Sequence, residues 1–278
     1  MAKAMEGVWV IELVCSNRYS LDINGAPNVV QTRNRQCGME SIMAQRINEH
    51  GQPIGVEVPN WTGCDRPGDA PMEGRFCRVE RLNPERHGAD LFDAFNHDQT
   101  GQLWTYMPVG PFVDDRAGFD AWLAEAALSP DPLFHAIIDA QTGQAVGVAS
   151  YLRIAPQAGT IEVGFIAFSP LLQRTPLATE AMFLMMKRVF AELGYRRYEW
   201  KCDALNAPSK RAAERLGFTY DGAFEQALVY KGRNRDTAWF SILDRDWPRI
   251  EAGFDTWLAP ENFDEQGQQR QSLAALMS

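Results

Sequence analysis

An apolar stretch, Ile166-Ala167-Phe168, runs into Ser169-Pro170 and a polar turn, Gln173-Arg174-Thr175, which ends where a helix begins at Pro176-Leu177-Ala178. Such a turn, leading directly into a helix N-terminus, aims successive backbone N–H groups at one place and adds the positive end of a helix dipole. That geometry receives phosphate. An ordinary strand–turn–helix connection fits the same residues, and this segment alone leaves both open. Just upstream, Glu162 stands among Ile161, Val163 and Ile166. Strand alternation puts it on one face with Gly164, Ile166 and Phe168. Apolar surroundings raise a carboxyl pKa and suit it to take a proton from an amine near neutrality; a rim carboxylate paired with an arginine is the structural alternative. Downstream, Asn206 and Ser209 sit at the start of a short helix, where both types cap well and can also bond a ligand.

The elements that must hold these groups can be traced along the chain. Phe76 to Leu82 reads as a strand, and Pro84-Glu85-Arg86 opens a helix with Pro in its first turn. A second helix is expected near Asp114 to Leu128. Runs Leu133 to Asp139, Val146 to Ile154 and Ile161 to Phe168, separated by Gly-containing turns, predict an antiparallel meander. The helix from Pro176 to about Leu193 carries Ala178, Met182, Met185, Val189 and Leu193 at helical spacing and is stopped by Gly194. A strand over Tyr195 to Asp203, a helix over Pro208 to Leu216, and strands near Phe224 to Lys231 and Thr237 to Leu243 complete the pattern. The order predicts an α/β (α+β) fold, with a central mixed, mostly antiparallel sheet and helices on both faces.

Residues 1–42 mix Asn, Arg, Gly and Pro without periodicity and are expected to be a poorly structured extension, with Met43 as an alternative translation start. Residues 43–73 are Gly/Pro-rich and expected as an extended arm anchored by Trp61. The packed domain is expected over 74–250, and 251–278 as the end of a C-terminal helix and a mobile tail.

The ordered set of motifs resembles the GNAT acetyltransferases. Strand 196–203 runs into Asn206-Ala207-Pro208-Ser209 and then a helix closing in Leu216-Gly217-Phe218, after the glycine-stopped helix, as in the second half of the GNAT core. Gly74-Arg75 through Leu82 resembles the opening strand of the RimJ/RimL-like branch. The resemblance implies a splayed strand pair holding acetyl-CoA. Ile166 and Phe168 would meet the pantetheine and thioester, Gln173, Arg174, Thr175, Leu177 and Ala178 the pyrophosphate, and Asn206 and Ser209 the pantetheine region. Glu162 would be the base, with water relays from Glu162 or Asp203 equally compatible with the sequence. Where many members carry a Tyr acid this chain has Ala213, leaving Ser209 or Tyr230 as acid, or unassisted departure of the thiolate. The acceptor pocket would draw on Trp104, Tyr106, Tyr151 and the loop to Asp236, whose carboxylate would either anchor an ammonium or pair with Arg233 or Arg235. One departure stands out: the first glycine of the family's phosphate loop is here Pro176, which supplies no N–H.

The implied activity is acetyl-CoA-dependent acetylation of a primary amine by direct transfer through a ternary complex, on a protein N-terminus or a small amine. Pro176 and Ala213 also fit a noncatalytic acyl-CoA-binding regulatory module. A net charge of −9 disfavours nucleic-acid and anionic-membrane partners and suits cationic ones. No GxxxxGK[ST], GxGxxG or GxSxG motif is present. The five cysteines show no CxxC pairing and the four histidines no ligand spacing, so no metal is expected and the thiols suit a reducing cytoplasm. A homodimer is compatible with the sequence.

Overall fold

The computed structural model describes residues 46–277, so the extension expected over 1–42 lies outside them. Two units divide between Pro59 and Asn60. In the first, β1 (Arg46–Ile47) and β2 (Pro53–Ile54) pair antiparallel. Asn48 closes their turn, its Oδ1 accepting from the His50 and Gln52 amides.

The second unit is built on β3 (Met72–Glu73), β4 (Cys77–Arg81), β5 (Leu133–Asp139), β6 (Ala145–Ala155), β7 (Thr160–Phe168), β8 (Arg197–Asp203), β9 (Thr219–Tyr230) and β10 (Arg233–Leu243). They form one sheet in the order β3-β4-β5-β6-β7-β8-β10-β9. Every pair is antiparallel except β7 with β8. A parallel pair requires a crossover, and α3 (Pro176–Lys187) supplies it. It continues through a wide π-type turn, Arg188–Glu192, where one uninterrupted helix is expected from sequence.

One sheet face is covered by α1 (Pro84–Phe95) and α2 (Arg116–Leu128). Each starts at a side-chain cap, Asn83 Oδ1 on the Arg86 amide and Asp115 Oδ1 on the Gly118 amide. Their apolar stripes bury Leu91, Phe95, Phe119 and Leu123 against Phe134, Ile138 and Ala167. The opposite face is covered by α3 and α5 (Trp247–Leu258), which enclose Tyr151, Ile161, Val163, Met182, Met185 and Tyr198. Between β8 and β9 lies α4 (Ala207–Arg215), and α6 (Leu273–Leu276) closes the described chain. Instead of the mobile tail expected, these last residues dock: Leu273 is fully buried, and Asn262 bonds both the Trp257 and Gln271 carbonyls. Among the described residues no helix is long and apolar enough to cross a membrane.

In the arm before the sheet, Trp61 donates from Nε1 to the Gln157 carbonyl at 2.8 Å. Glu180, on α3, fixes the entry of β4. Its carboxylate accepts the backbone N–H groups of Arg75, Phe76 and Cys77 at 2.8, 2.6 and 2.8 Å. A Cβ on Gly74 would collide with that carboxylate, so the close approach requires glycine.

Candidate active site

The strand pair at the centre of the sheet parts early. β7 and β8 are in register only from Thr160↔Arg197 to Val163↔Trp200. Sequence places the separation after Phe168 and Cys202; it begins after Val163 and Trp200. The cause is a bulge. Gly164 pairs with Ser150 and Ala167 with Val148, so Ala149 alone opposes both Phe165 and Ile166. Phe165 adopts φ 46°, and Ser150 Oγ secures the neighbouring Gly164 carbonyl at 3.0 Å. From Gly164 to Phe168 the β8-facing edge of β7 has no strand partner, which leaves main-chain groups for an extended ligand to pair with.

The bulge also corrects the facing of Glu162. Alternation places it with Ile166 and Phe168, but the extra residue shifts those two to the α3 side, where they pack against the core under α3. Glu162 instead shares its face with Gly164 and with Phe165 and Ala167, which belong to the α1–α2 cluster. There it is almost wholly buried. Its Oε2 meets Arg153 Nη1 at 2.7 Å and Lys201 Nζ at 2.8 Å, while Oε1 has no protein partner among the described residues. Burial raises its pKa, against the opposing pull of Lys201 and then Arg153. Neither cation is singled out by sequence alone. The clue lies in Arg197, Glu199 and Lys201 alternating with buried Tyr198, Trp200 and Cys202, which marks a charged face on β8.

At the far end of the meander, Leu172 and Gln173 donate their amides to the Ser169 carbonyl, tightening the turn, and Arg174 takes φ 63°. Thr175 is the N-cap of α3, with Oγ1 accepting the Ala178 amide at 3.2 Å, and Pro176 occupies the first turn as expected. The amides of Arg174, Thr175 and Leu177 donate to no protein group. They form the free N–H set that an anion at this helix start would engage; Ala178, expected among the binding residues, already serves its own cap. The exposed Gln173 side chain folds back on the chain, its Nε2 donating to the Phe168 carbonyl at 2.8 Å.

Across the gap, Asn206 caps α4 through Oδ1 on the Ser209 amide at 3.1 Å. Ser209 Oγ accepts from Trp200 Nε1 at 2.9 Å. The pKa of the neighbouring Cys202 thiol is raised chiefly by burial, against the lowering effect of Ser209. Cys64, Cys77 and Cys202 are all free thiols.

Three residues expected in the acceptor pocket are placed otherwise. Tyr151 is fully buried beneath α3, its hydroxyl donating to the Met185 carbonyl at 2.8 Å, because a β6 position facing away from Glu162 points into the main core. Trp104 is a core plug, packed edge-on against Phe95, Phe112 and Trp122. Asp236 neither faces the pocket through Oδ1 nor pairs with Arg233 or Arg235. That oxygen accepts the Gln226 amide and the Asn234 amide group, which stabilises an irregularity between β9 and β10. Tyr106 alone remains at the edge, its hydroxyl reaching the Leu205 carbonyl at 3.3 Å.

A latch that the sequence does not announce ties the β9–β10 tip to the loop between α1 and α2. Lys231, at the β9–β10 tip, donates to the Trp104 and Val109 carbonyls at 2.8 and 2.9 Å, and Arg233 donates to the Thr105 carbonyl at 2.9 Å. Tyr230 donates to Asp203 Oδ2 at 2.8 Å below it. Burial and that carboxylate both raise the Tyr230 pKa, so its phenol keeps its proton. Among the described residues no cluster of His, Cys, Asp or Glu could hold a metal ion.

The acetyltransferase (GNAT) domain model matches residues 80–219, half of the chain. A GCN5-related N-acetyltransferase from Brucella melitensis has a similar crystal structure, 48% identical, with TM-score 0.77, covering 79% of this chain and 99% of that one. A GNAT-family acetyltransferase from Chromobacterium violaceum is 41% identical with TM-score 0.65, covering 71% of this chain and 98% of that one. The uncharacterized N-acetyltransferase p20 of Bacillus licheniformis is 25% identical over 181 residues, which is 61% of this chain and 99% of p20.

Proposed function

The chain belongs to the GNAT family of acetyltransferases, and from that premise we propose that this N-acetyltransferase moves the acetyl group of acetyl-CoA directly to a primary amine within a ternary complex. The observation that carries the reading is the parting of β7 from β8 after Val163, beside a turn whose Arg174, Thr175 and Leu177 amides are unengaged. The unpaired β7 edge suits the amides of a pantetheine arm, and the free amides at the α3 start suit its diphosphate. Arg174 strengthens that cradle by charge where Pro176 lacks a donor. Asn206 retains its side-chain amino group for the pantetheine while its Oδ1 caps α4.

Acetyl-CoA supplies an acetyl thioester; the amine nitrogen bonds to its carbonyl carbon and the carbon–sulfur bond breaks. A thioester lying in the gap from the α3 side would present its carbonyl to the Glu162 face. The free Oε1 of Glu162 takes the amine proton, directly or through one water, and the cations on Oε2 hold the carboxylate still. Ser209 or Tyr230 returns a proton to the sulfur. The lysine latch keeps water from the gap. The acceptor is a small amine or a protein N-terminus, and an α-amino group, with its ordinary pKa near 8, leaves a neutral fraction at physiological pH. A cytoplasmic enzyme accords with the free Cys64, Cys77 and Cys202 thiols.

The test is thiol release from acetyl-CoA across a panel of peptides and small amines, alongside thermal protection by coenzyme A. Protection with turnover on at least one amine supports the reading. Protection without turnover on any amine supports the noncatalytic module instead.

A further inference from the structure

On β10, three alternate residues carry a buried polar atom without a hydrogen-bond partner: Arg235 Nε, Thr237 Oγ1 and Trp239 Nε1. Buried donors are almost always satisfied, so a row of three on one strand calls for an absent acceptor. Their place is specific. Thr237 lies opposite Asp203 and Trp239 opposite Lys201, on the stretch of β8 that has lost β7 as a neighbour. Lys201 Nζ sits 3.6 Å over the Trp239 ring and also binds Glu162. The row therefore borders the proposed reaction centre on the face of Glu162.

The chemistry of the row selects its ligand. Trp Nε1 only donates, a guanidinium only donates, and a hydroxyl can donate. Nearby carboxylates are already engaged: Asp203 accepts from Tyr230 and the Leu205 amide, and Glu199 accepts from Arg197 and Lys201. The Arg235 side chain forms no ion pair or hydrogen bond among the described residues, and its guanidinium stands 5.8 Å from the Tyr230 ring centroid. Thr237 is 5% exposed, so its hydroxyl has no ready access to bulk water. A ligand rich in oxygen acceptors, with one negative charge, completes all three.

Building on the acetyltransferase reading, we infer that the acceptor is a primary amine bearing a carboxylate, and that Arg235 binds this carboxylate with Thr237 and Trp239 as auxiliary donors. The class includes free amino acids and related amino-carboxylates. It is distinguished from polyamines, which would place a second cation against Arg235, and from the uncharged carbonyls that follow a polypeptide N-terminus.

The experiment compares matched acceptors, each offered as the carboxylate, the carboxamide and the decarboxylated amine, with thiol release as readout. The full-length enzyme is expected to use the best carboxylate acceptor about tenfold or more better in kcat/KM than its carboxamide, as loss of a charge-assisted bond implies. In Arg235→Gln that preference should vanish through KM, with KM for acetyl-CoA unchanged. Because Arg235→Gln could fold poorly, Arg235→Lys is measured beside it and should retain part of the preference. Heat protection by an N-acetylated carboxylate product plus coenzyme A should be present in the natural enzyme and lost in Arg235→Gln. Equal use of carboxylate and carboxamide overturns this inference and leaves the transferase reading intact. So does a variant whose KM rises for acetyl-CoA with every acceptor, which assigns Arg235 to the coenzyme. Absence of turnover with every amine overturns both.

Discussion

Lys201 and Arg153 converge on the same oxygen of Glu162, Nζ at 2.8 Å and Nη1 at 2.7 Å, and leave Oε1 without a protein partner. A carboxylate held in this way has one oxygen fixed and one available. Burial makes it more basic, while the two cations keep it ionised, so the group is poised between two opposing effects.

Replacing Glu162 with Gln keeps the shape and removes the proton acceptor. Turnover should fall about a hundredfold, as expected for loss of a general base, with acetyl-CoA affinity unchanged. Lys201→Met removes a cation that favours the ionised form, so the acid limb of the pH–rate profile should move to higher pH. Steady-state kinetics across pH checks both; unchanged turnover in Glu162→Gln removes this residue from the mechanism.

Glu180 predicts a structural effect away from the chemistry. Its carboxylate takes three consecutive backbone N–H groups at the entrance to β4. Glu180→Ala leaves those donors to find water and should cost about 3 kcal/mol of unfolding free energy. Gly74→Ala forces a methyl against the same carboxylate and should cost about 1–3 kcal/mol through overpacking. Denaturant titration of both variants measures the losses.

These groups differ in how visible they are from sequence, and the reasons are physical. The β5–β6–β7 meander, the crossover α3 with its proline start, and the Asn206 cap follow from periodicity and local turn chemistry, which act over a few residues. Local pattern fails at Phe165, where one added residue inverts the facing of everything after it, so Glu162 parts company with Ile166 and Phe168. Tyr151 and Trp104 escape local pattern for a related reason: an aromatic side chain serves a core or a pocket equally well until the sheet face it occupies is known. Lys201 and the Lys231 latch depend on pairs distant in the chain, for which no spacing rule exists, and Arg153 reaches Glu162 across the β6–β7 hairpin only in the register that its irregular pairing sets.

Pro176 stands where a backbone donor is missing from the free-amide cradle. Pro176→Gly adds one N–H at the start of α3 and should tighten acetyl-CoA binding by up to about tenfold, the scale of a hydrogen bond to a charged group. The freer backbone of glycine should lower thermal stability slightly at the same time. Calorimetric titration with coenzyme A reads the first effect and thermal unfolding the second. Weaker binding in the variant means that the diphosphate does not reach this turn.

His135 predicts a loss of stability in acid. It is about 1% exposed on β5, edge-on to the Tyr151 ring. Burial, assisted by the Arg81 and Arg188 charges, pushes its pKa from 6.5 down to about 4. The unfolded chain therefore binds a proton that the folded chain refuses between those two values, and stability declines as pH falls through that window. The full effect is about 3 kcal/mol, reached once pH passes below about 4. His135→Phe keeps the ring contact and removes the titration. Its unfolding free energy should fall less steeply between pH 6.5 and pH 4 than that of the natural protein. Parallel slopes for the two proteins would mean that other groups carry the acid sensitivity.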